Sequence, residues 1–350
     1  MCTSSSTPTG HSDSSSSLSG TRSVRKAVIP AAGLGTRLRP LTRAFPKELL
    51  PVGREPVLSY IVTELREAGI TEALFIVSDS KPQIRNFFGD VYTGERQDLP
   101  RLHCSYVTQT EQHGLGDALL YAEPWAGTDA FVVAFGDCII EDRRIEDRRI
   151  EDRRIEDRRI EDRRIEDRRE GKDEGALKRS PLQRLIATHL DQASEATVLV
   201  EEVERTKVSR YGIVAPLVSV GEVAADGAGS DLPLDPFALR DIVEKPSIET
   251  APSRLAVAAR WVVEPGLFPF LRTTEIDARG ERNMTDGVRA LLATGKTAWA
   301  VPLRPGEARR DIGNFESFFA QFVRSALHDP EFGASIRRLA QQELERLSED

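Results

Sequence analysis

Cysteine is scarce in this chain, and so are long apolar runs and any excess of positive charge. The three cysteines among its 350 residues are scattered and odd in number, which argues against a disulfide framework and favours a reducing cytoplasm. No apolar run approaches the roughly 18–20 residues that span a bilayer. A net charge of −8 gives no basic face, so we expect neither nucleic acid nor membrane as a partner.

The N-terminus has little to bury. Residues 1–24 consist largely of Ser, Thr and Gly. Such a segment cannot offset the entropy of ordering, so a flexible tail is predicted. It also lacks the apolar stretch of a secretory signal.

Past the tail, short apolar runs alternate with helical patterns. Unbroken apolar strands separated by helices predict an α/β fold of Rossmann-like type, with a mixed, mostly parallel sheet covered by helices on both faces. Ligands of such sheets bind at the carboxyl ends of the strands. Gly33, Gln109 and Asp137 each follow a predicted strand, so we expect them to share one crevice.

The segment from Lys26 to Val52 is the most informative stretch. A strand leads into a small-residue loop whose backbone N–H groups can hold phosphates. Arg37 and Lys47 follow and can neutralise phosphate charge. The loop contains Gly33 and Gly35 but lacks the third glycine of the dinucleotide fingerprint. These features favour a nucleoside triphosphate over a redox cofactor.

The same segment resembles the signature of the sugar-1-phosphate nucleotidyltransferases, and most closely that of bacterial UTP–glucose-1-phosphate uridylyltransferases. Further motifs follow in the family's order as far as about Phe322. They are Gln109 with His113-Gly114-Leu115-Gly116, Gly136-Asp137, Tyr211-Gly212-Ile213-Val214, Val243-Glu244-Lys245-Pro246, Gly280-Glu281 with Thr285-Asp286, and Asp311-Ile312-Gly313-Asn314.

The resemblance implies that UTP and glucose 1-phosphate react to give UDP-glucose and pyrophosphate. The sugar phosphate would attack the α-phosphorus in line, assisted by Mg²⁺, with positioning and charge stabilisation providing the catalysis. The implied catalytic residues are Arg37, Lys47 and Lys245. The implied nucleotide-binding residues are Ala32, Gly33, Leu34, Gly35, Thr36, Gln109, Gly114 and Gly116. Gly212, Glu244 and Lys245 would bind the sugar, and Asp137 and Asp311 the metal.

Three departures from the family pattern bear on specificity. Asp117 stands where the family usually has histidine, Ala259 replaces a glycine, and Arg282 lies within an altered motif before Thr285. Two alternatives therefore stay open. One is a thymidylyltransferase or another sugar-1-phosphate nucleotidyltransferase. The other is a catalytically silent nucleotide-sensing subunit of the same fold, which should lack the lysine or the aspartate of the site.

Six tandem copies of Ile-Glu-Asp-Arg-Arg occupy residues 140–169. Each copy carries two acids and two bases, so the block adds no net charge. A period of five places successive isoleucines about 140° apart on a helix, which rules out a single apolar stripe. We therefore expect a neutral insertion at 140–175 within a nucleotidyltransferase domain spanning 25–325. A helical segment at 326–350 should pack back on the domain or mediate a homo-oligomer.

Overall fold

The computed structural model describes residues 22–142, 179–217 and 233–349. The predicted flexible tail, apart from its last residues, lies outside these ranges. The repeats beyond Asp142 lie outside them as well. Within the described ranges, no helix is both long and apolar enough to cross a bilayer.

In these ranges the chain forms fourteen strands and nine α-helices. The strands are β1 (Lys26–Pro30), β2 (Pro51–Val52), β3 (Glu55–Pro56), β4 (Glu72–Val77), β5 (Val91–Tyr92), β6 (Leu102–Thr108), β7 (Phe131–Ala134), β8 (Cys138–Asp142), β9 (Ala196–Glu202), β10 (Gly212–Pro216), β11 (Phe237–Glu244), β12 (Leu255–Val263), β13 (Ala298–Pro302) and β14 (Glu307–Asp311). The helices are α1 (Val57–Glu67), α2 (Pro82–Phe88), α3 (Leu115–Leu120), α4 (Glu123–Ala126), α5 (Pro181–Asp191), α6 (Phe268–Thr273), α7 (Met284–Ala293), α8 (Phe315–Leu327) and α9 (Gly333–Glu349).

Ten strands form the main sheet, in the order β10-β11-β13-β9-β12-β7-β1-β4-β6-β5. The neighbours β7, β1, β4 and β6 run parallel, and β12 enters antiparallel beside β7. The predicted mixed α/β sheet is thus confirmed, with parallel pairing concentrated in the first half of the chain. The parallel strands end at one edge, which places the segments after β1, β6 and β7 side by side.

Strand β1 shows why both faces of the sheet are covered. Ala27 and Ile29 point into one buried cluster, which includes residues of α1 and α5. Val28 points into a second cluster, on the opposite face, with residues of α3 and α7. Side chains alternate along a strand, so an unbroken apolar run has two faces to bury.

A separate two-stranded ribbon joins distant parts of the chain. Strand β8 pairs antiparallel with β14, with Cys138 opposite Asp311. Its first strand contains the start of the repeat, Ile140 to Asp142, so the first copy is partly a strand and the insertion begins later than 140. The fully buried Arg260 fixes this ribbon by donating to the Cys138 carbonyl at 2.9 Å and to Glu64 at 2.6 Å.

The residue before that arginine is one of the departures from the family pattern, and its backbone conformation favours the glycine that the family usually has. Ala259 has a φ of 58°, a left-handed conformation that disfavours residues with a Cβ. It lies where the register of β12 against β9 shifts between Val257 and Trp261. A glycine suits this bulge, and here an alanine occupies it.

The C-terminal helix does not bury its apolar side on the domain. Leu339, Leu344 and Leu347 of α9 are 53%, 67% and 66% exposed. The expectation that this helix packs back on the domain is therefore wrong for these three leucines, whereas Ile336 and Ala340 are half-buried. The charged composition of α9 provides few apolar side chains for such packing.

Candidate functional site

The loop after β1 is shaped by a glycine in a left-handed conformation. Gly35 has a φ of 60°, and a Cβ there would lie 3.0 Å from the side chain of Thr42. Thr42 also donates a hydrogen bond from Oγ1 to the Gly35 carbonyl at 2.8 Å. Gly35 therefore meets both a conformational and a steric requirement, which explains its place in the motif.

A buried ion pair, formed by Lys81 and Glu48, contacts the backbone of this loop. Nζ of Lys81 lies 2.7 Å from the Ala31 carbonyl, 2.5 Å from the Gly33 carbonyl and 2.9 Å from both carboxylate oxygens of Glu48. The side chains of Lys81 and Glu48 are only 6% and 1% exposed. Lys81 thus orients the carbonyl groups of Ala31 and Gly33 towards its ammonium group. Sequence reasoning missed both Lys81 and Glu48.

Burial outweighs the mutual attraction of this pair. It raises the pKa of Glu48 and lowers the pKa of Lys81, although each charge favours ionisation of the other. A buried ion pair of this kind contributes little net stability, because desolvation offsets the Coulomb gain. Its main consequence is geometric, since it fixes the loop against the segment that carries Lys47.

Lys47 meets Asp137 beside the loop, with Nζ and Oδ2 2.5 Å apart. Burial opposes both charges, but the neighbouring lysine holds the pKa of Asp137 below its usual value. Burial likewise opposes the charge of Lys47, and Asp137 and Glu48 together raise the pKa of Lys47 above its usual value. Both groups therefore stay charged at neutral pH.

Asp311 and Arg37 lie around this pair. The Ile312 N–H donates to the Asp137 carbonyl at 2.9 Å, which brings the end of β14 against the residue after β7. Arg37 reaches over the turn after Asp311, where a Cβ at Gly313 would lie 3.1 Å from its guanidinium. Two carboxylates and two cations thus meet at one edge of the sheet, although the outermost of them, Arg37 and Asp311, are 274 residues apart in the chain.

The donor set at this edge fits Mg²⁺ bound together with phosphates. Asp137 uses Oδ2 for Lys47, and among the described residues no side chain occupies its Oδ1. Asp311 has a guanidinium nitrogen of Arg309 at 3.5 Å. The described ranges hold no cluster of three or more His, Cys, Asp or Glu suited to a metal. Two carboxylates with substrate oxygens completing the shell is the arrangement that Mg²⁺ commonly adopts.

Gln109 follows β6 on the other side of the loop. Its side chain is 5% exposed, and Nε2 donates to Asp117 at 3.0 Å. Nearby, Nε2 of Gln112 donates to the Ala32 carbonyl at 2.9 Å and so links this segment to the loop after β1. The predicted base-binding glutamine and the predicted phosphate-binding loop are thus neighbours.

The two predicted glycines after Gln109 pack against the backbone near Arg282. A Cβ at Gly114 or at Gly116 would lie 2.9 Å from the Arg282 carbonyl. The Gly116 N–H donates to that carbonyl at 2.8 Å, and the Arg282 N–H donates to His113 at 2.6 Å. Packing therefore accounts for both glycines, and a nucleotide contact for them stays a prediction.

A cavity of about 340 Å³ opens between this segment and the second half of the sheet. Gly114, Gly212, Glu244 and Lys245, all predicted site residues, line it. Glu244 accepts a hydrogen bond from Thr285 at 2.8 Å and lies 3.2 Å from Nζ of Lys245. A cavity with a carboxylate and an ammonium in its wall can bind hydroxyl groups and a phosphate.

The backbone at Lys245 is strained. Its φ of 44° is unusual for a residue with a side chain. Its N–H is bound to the Tyr211 carbonyl at 3.0 Å, which holds this conformation. Strain of this kind clusters at functional sites, where surrounding contacts fix it.

Arg309 lies between the cavity and Asp311. It lines the cavity, lies 4.0 Å from the ring centre of Tyr211, and pairs with Glu201 at 2.6 Å. Its guanidinium also faces Asp311. Its position two residues before Asp311 is the only sequence signal that could have indicated it.

The structure thus brings the predicted residues into two adjoining groups. One group contains the loop of residues 31–36 with Arg37, Lys47, Asp137 and Asp311. The other is the cavity. Leu34 projects from the loop and is 52% exposed.

Comparisons with known proteins agree with this arrangement. The model of the nucleotidyl transferase family matches residues 26–150 and 174–326. The chain is 31% identical to the UTP–glucose-1-phosphate uridylyltransferase of Mycoplasma pneumoniae over 319 residues, covering 87% of this chain and 93% of that protein.

Solved structures give the same result. The UTP-bound UGPase from Acinetobacter baumannii has a TM-score of 0.67 at 25% identity, covering 91% of this chain and 99% of that one. A UDP-glucose pyrophosphorylase complexed with UDP-glucose has a TM-score of 0.64 at 27% identity, covering 85% and 97%. This chain belongs to the nucleotidyl transferase family.

Proposed function

From this family membership we propose that the chain transfers the uridylyl group of UTP to glucose 1-phosphate, giving UDP-glucose and pyrophosphate. The observation that carries the proposal is the junction of the proposed phosphate-binding loop with a cavity that Glu244 and Lys245 line, in a chain 31% identical to a named uridylyltransferase over most of its length. The silent-subunit alternative would lack Lys47 or Asp137, and both are present in contact.

In this proposal the chain acts by holding two phosphates in line. The loop N–H groups and Arg37 bind the β- and γ-phosphates, and Lys47 stabilises the charge that develops around the α-phosphorus. Lys245 orients the sugar phosphate as the nucleophile. No covalent intermediate is required, and the rate enhancement comes from orientation and charge stabilisation.

Asp137 and Asp311 would hold Mg²⁺. The ion would neutralise phosphate charge and make the pyrophosphate a better leaving group. The assignment is supported by Oδ1 of Asp137, which no side chain of the described residues occupies. Removing divalent ions with EDTA should reduce activity by at least about 100-fold, with full recovery on adding Mg²⁺. Unchanged activity in EDTA would exclude the assignment.

The cavity is the proposed glucose site. Glu244 can accept hydrogen bonds from hydroxyl groups, and Thr285 holds its carboxylate in place. Gly212 leaves room there, since a Cβ would lie 2.8 Å from the Thr285 methyl group. The sugar therefore contacts a rigid carboxylate rather than a mobile one.

A substrate screen tests the proposal. Pyrophosphate release is measured with UTP, dTTP, CTP, ATP and GTP against glucose, galactose, mannose and N-acetylglucosamine 1-phosphates. The highest kcat/KM is expected for UTP with glucose 1-phosphate. A strong preference for dTTP would instead identify a thymidylyltransferase, and no release with any pair would support the silent-subunit alternative.

We further propose that the protein works in the cytoplasm as a homo-oligomer. Exposed apolar side chains on the last two helices support self-association, because burying them would remove a large apolar surface from water. Phe319 and Val323 of α8 and Leu344 of α9 are all more than half exposed. Light scattering at micromolar concentration measures the state, and a monomer would contradict this proposal.

A further inference from the structure

Asp117 lies in contact with the side chain predicted to read the base. It belongs to the first turn of α3, and its Oδ2 accepts the hydrogen bond from Nε2 of Gln109. An ionised carboxylate can only accept hydrogen bonds, whereas an amide presents a donor on one side and an acceptor on the other. This contact therefore fixes which way the amide of Gln109 faces.

The hydrogen bond to Asp117 leaves Oε1 of Gln109 as an acceptor and one N–H of Nε2 as a donor for a ligand. With Nε2 against Asp117, the carbonyl Oε1 faces away, and among the described residues none donates a hydrogen bond to it. Nε2 keeps a second N–H. Rotating the amide by half a turn would place Oε1 against the carboxylate, where two acceptors would oppose each other.

The fixed amide matches one class of pyrimidine. Uracil and thymine present an N3–H donor flanked by carbonyl acceptors, which Oε1 and the second N–H of Gln109 complement. Cytosine presents an N3 acceptor next to an amino donor, the reverse pattern. Cytosine would need the rotated amide that Asp117 disfavours.

We propose that Asp117 is a positioning residue that fixes the amide of Gln109 and thereby selects bases with an N3–H over cytosine. This inference rests on the proposed nucleotide site, but it holds equally for UTP and dTTP. It assigns a role to a residue at which the chain departs from its family's usual histidine.

A purely structural role for Asp117 is the competing explanation. An acidic residue in the first turn stabilises a helix through its dipole, so losing it would lower stability without changing base preference. Glu316 provides a matched control, because it is the first-turn acid of α8 and is exposed. Glu316→Gln removes a comparable charge from a helix terminus elsewhere.

The experiment measures dissociation constants of UTP, dTTP and CTP by calorimetry for the wild type, Asp117→Asn and Glu316→Gln. The asparagine amide can accept or donate, so Gln109 can rotate. The preference for UTP over CTP should fall by about ten-fold or more in Asp117→Asn, mainly through tighter CTP binding, and stay unchanged in Glu316→Gln. An unchanged preference, or an equal loss for both nucleotides, would overturn the inference.

A second measurement needs no variant. 3-Methyl-UTP lacks the N3–H, so the wild type should bind it at least about ten-fold more weakly than UTP. Equal binding of the two would overturn the inference even if Asp117→Asn did not fold. These binding measurements contain no sugar phosphate, so they test base selection separately from the reaction. A protein that binds UTP with the expected preference but releases no pyrophosphate would contradict only the proposed function.

Discussion

Lys47 and Asp137 stabilise each other over a defined pH range. The pKa of Asp137 is lowered from 3.8, so its contribution to stability is present above that pH and is lost as the pH falls through the folded-state value. The pKa of Lys47 is raised from 10.5, so its contribution is present below that pH and is lost as the pH rises through its folded-state value. The pair therefore stabilises the fold from weakly acidic to weakly alkaline pH.

We expect Asp137→Asn to lower the melting temperature by a similar amount at about pH 5 and about pH 9, with the difference from wild type closing as the pH falls below the normal aspartate pKa. Differential scanning fluorimetry over this range measures it. At neutral pH kcat should fall by roughly 100-fold or more.

Asp129→Asn is the matched control, because Asp129 is 62% exposed and pairs with Lys26 at 2.7 Å. It should leave kcat within two-fold, since exposed pairs contribute at most about 1 kcal/mol. Full activity in Asp137→Asn would remove Asp137 from the site.

At the scale of elements, the Lys81–Glu48 pair holds the loop after β1 to the turn that carries Lys47. Lys81→Met leaves Glu48 buried without its hydrogen-bonded cation, and the free energy of unfolding should fall by about 3–5 kcal/mol. Urea denaturation measures the loss. Lys296→Met, which removes a half-exposed partner of Glu195, should change stability by less than about 1 kcal/mol.

A double variant distinguishes the effect of this pair on the conformation of the loop from its effect on the stability of the fold. Lys81→Met with Glu48→Leu replaces the pair by apolar groups and should recover most of the lost stability. The loop carbonyls would still lack their donor, so UTP binding should stay weaker by about ten-fold or more. Wild-type UTP affinity in the double variant would show that the pair does not position the loop.

The sequence alone predicts the local motifs of the site but not the contacts between distant segments. Motif residues such as Gly35 and Lys47 could be predicted because local spacing and chain order carry the signal. Lys81 could not, since it lies between a strand and a helix and meets Glu48 only after β1 and β4 pair. The ribbon of β8 and β14 was missed for the same reason, because its partners are about 170 residues apart.

For the whole molecule, the pentapeptide repeat is the largest departure from the family. The family model stops at residue 150 and resumes at residue 174. Deleting residues 145–169 removes five neutral copies and keeps Ile140 to Asp142 in β8. We expect kcat and KM within a few-fold of wild type, since the contacts of the ribbon with β14 are retained.

Steady-state pyrophosphate release measures this deletion. Removing residues 140–164 instead also deletes five of the six copies in the 30-residue block, and it leaves the sixth copy in the place of the first. Because that copy is identical, both deletions give the same sequence and one protein serves for both. A 100-fold loss of kcat would contradict a neutral insertion.

The ribbon has a consequence for how this gene can vary. Cys138 faces Asp311 at one end of the ribbon, while Asp142, where the inserted chain departs, faces Glu307 at the other. At ~3.3 Å per residue, the departure point is roughly 13 Å from the end that carries Asp311, the proposed metal ligand. Because all copies are identical and neutral, gaining or losing whole copies preserves reading frame, net charge and strand register together. If the deletion leaves kcat unchanged, as we expect, selection on catalysis does not constrain the number of copies.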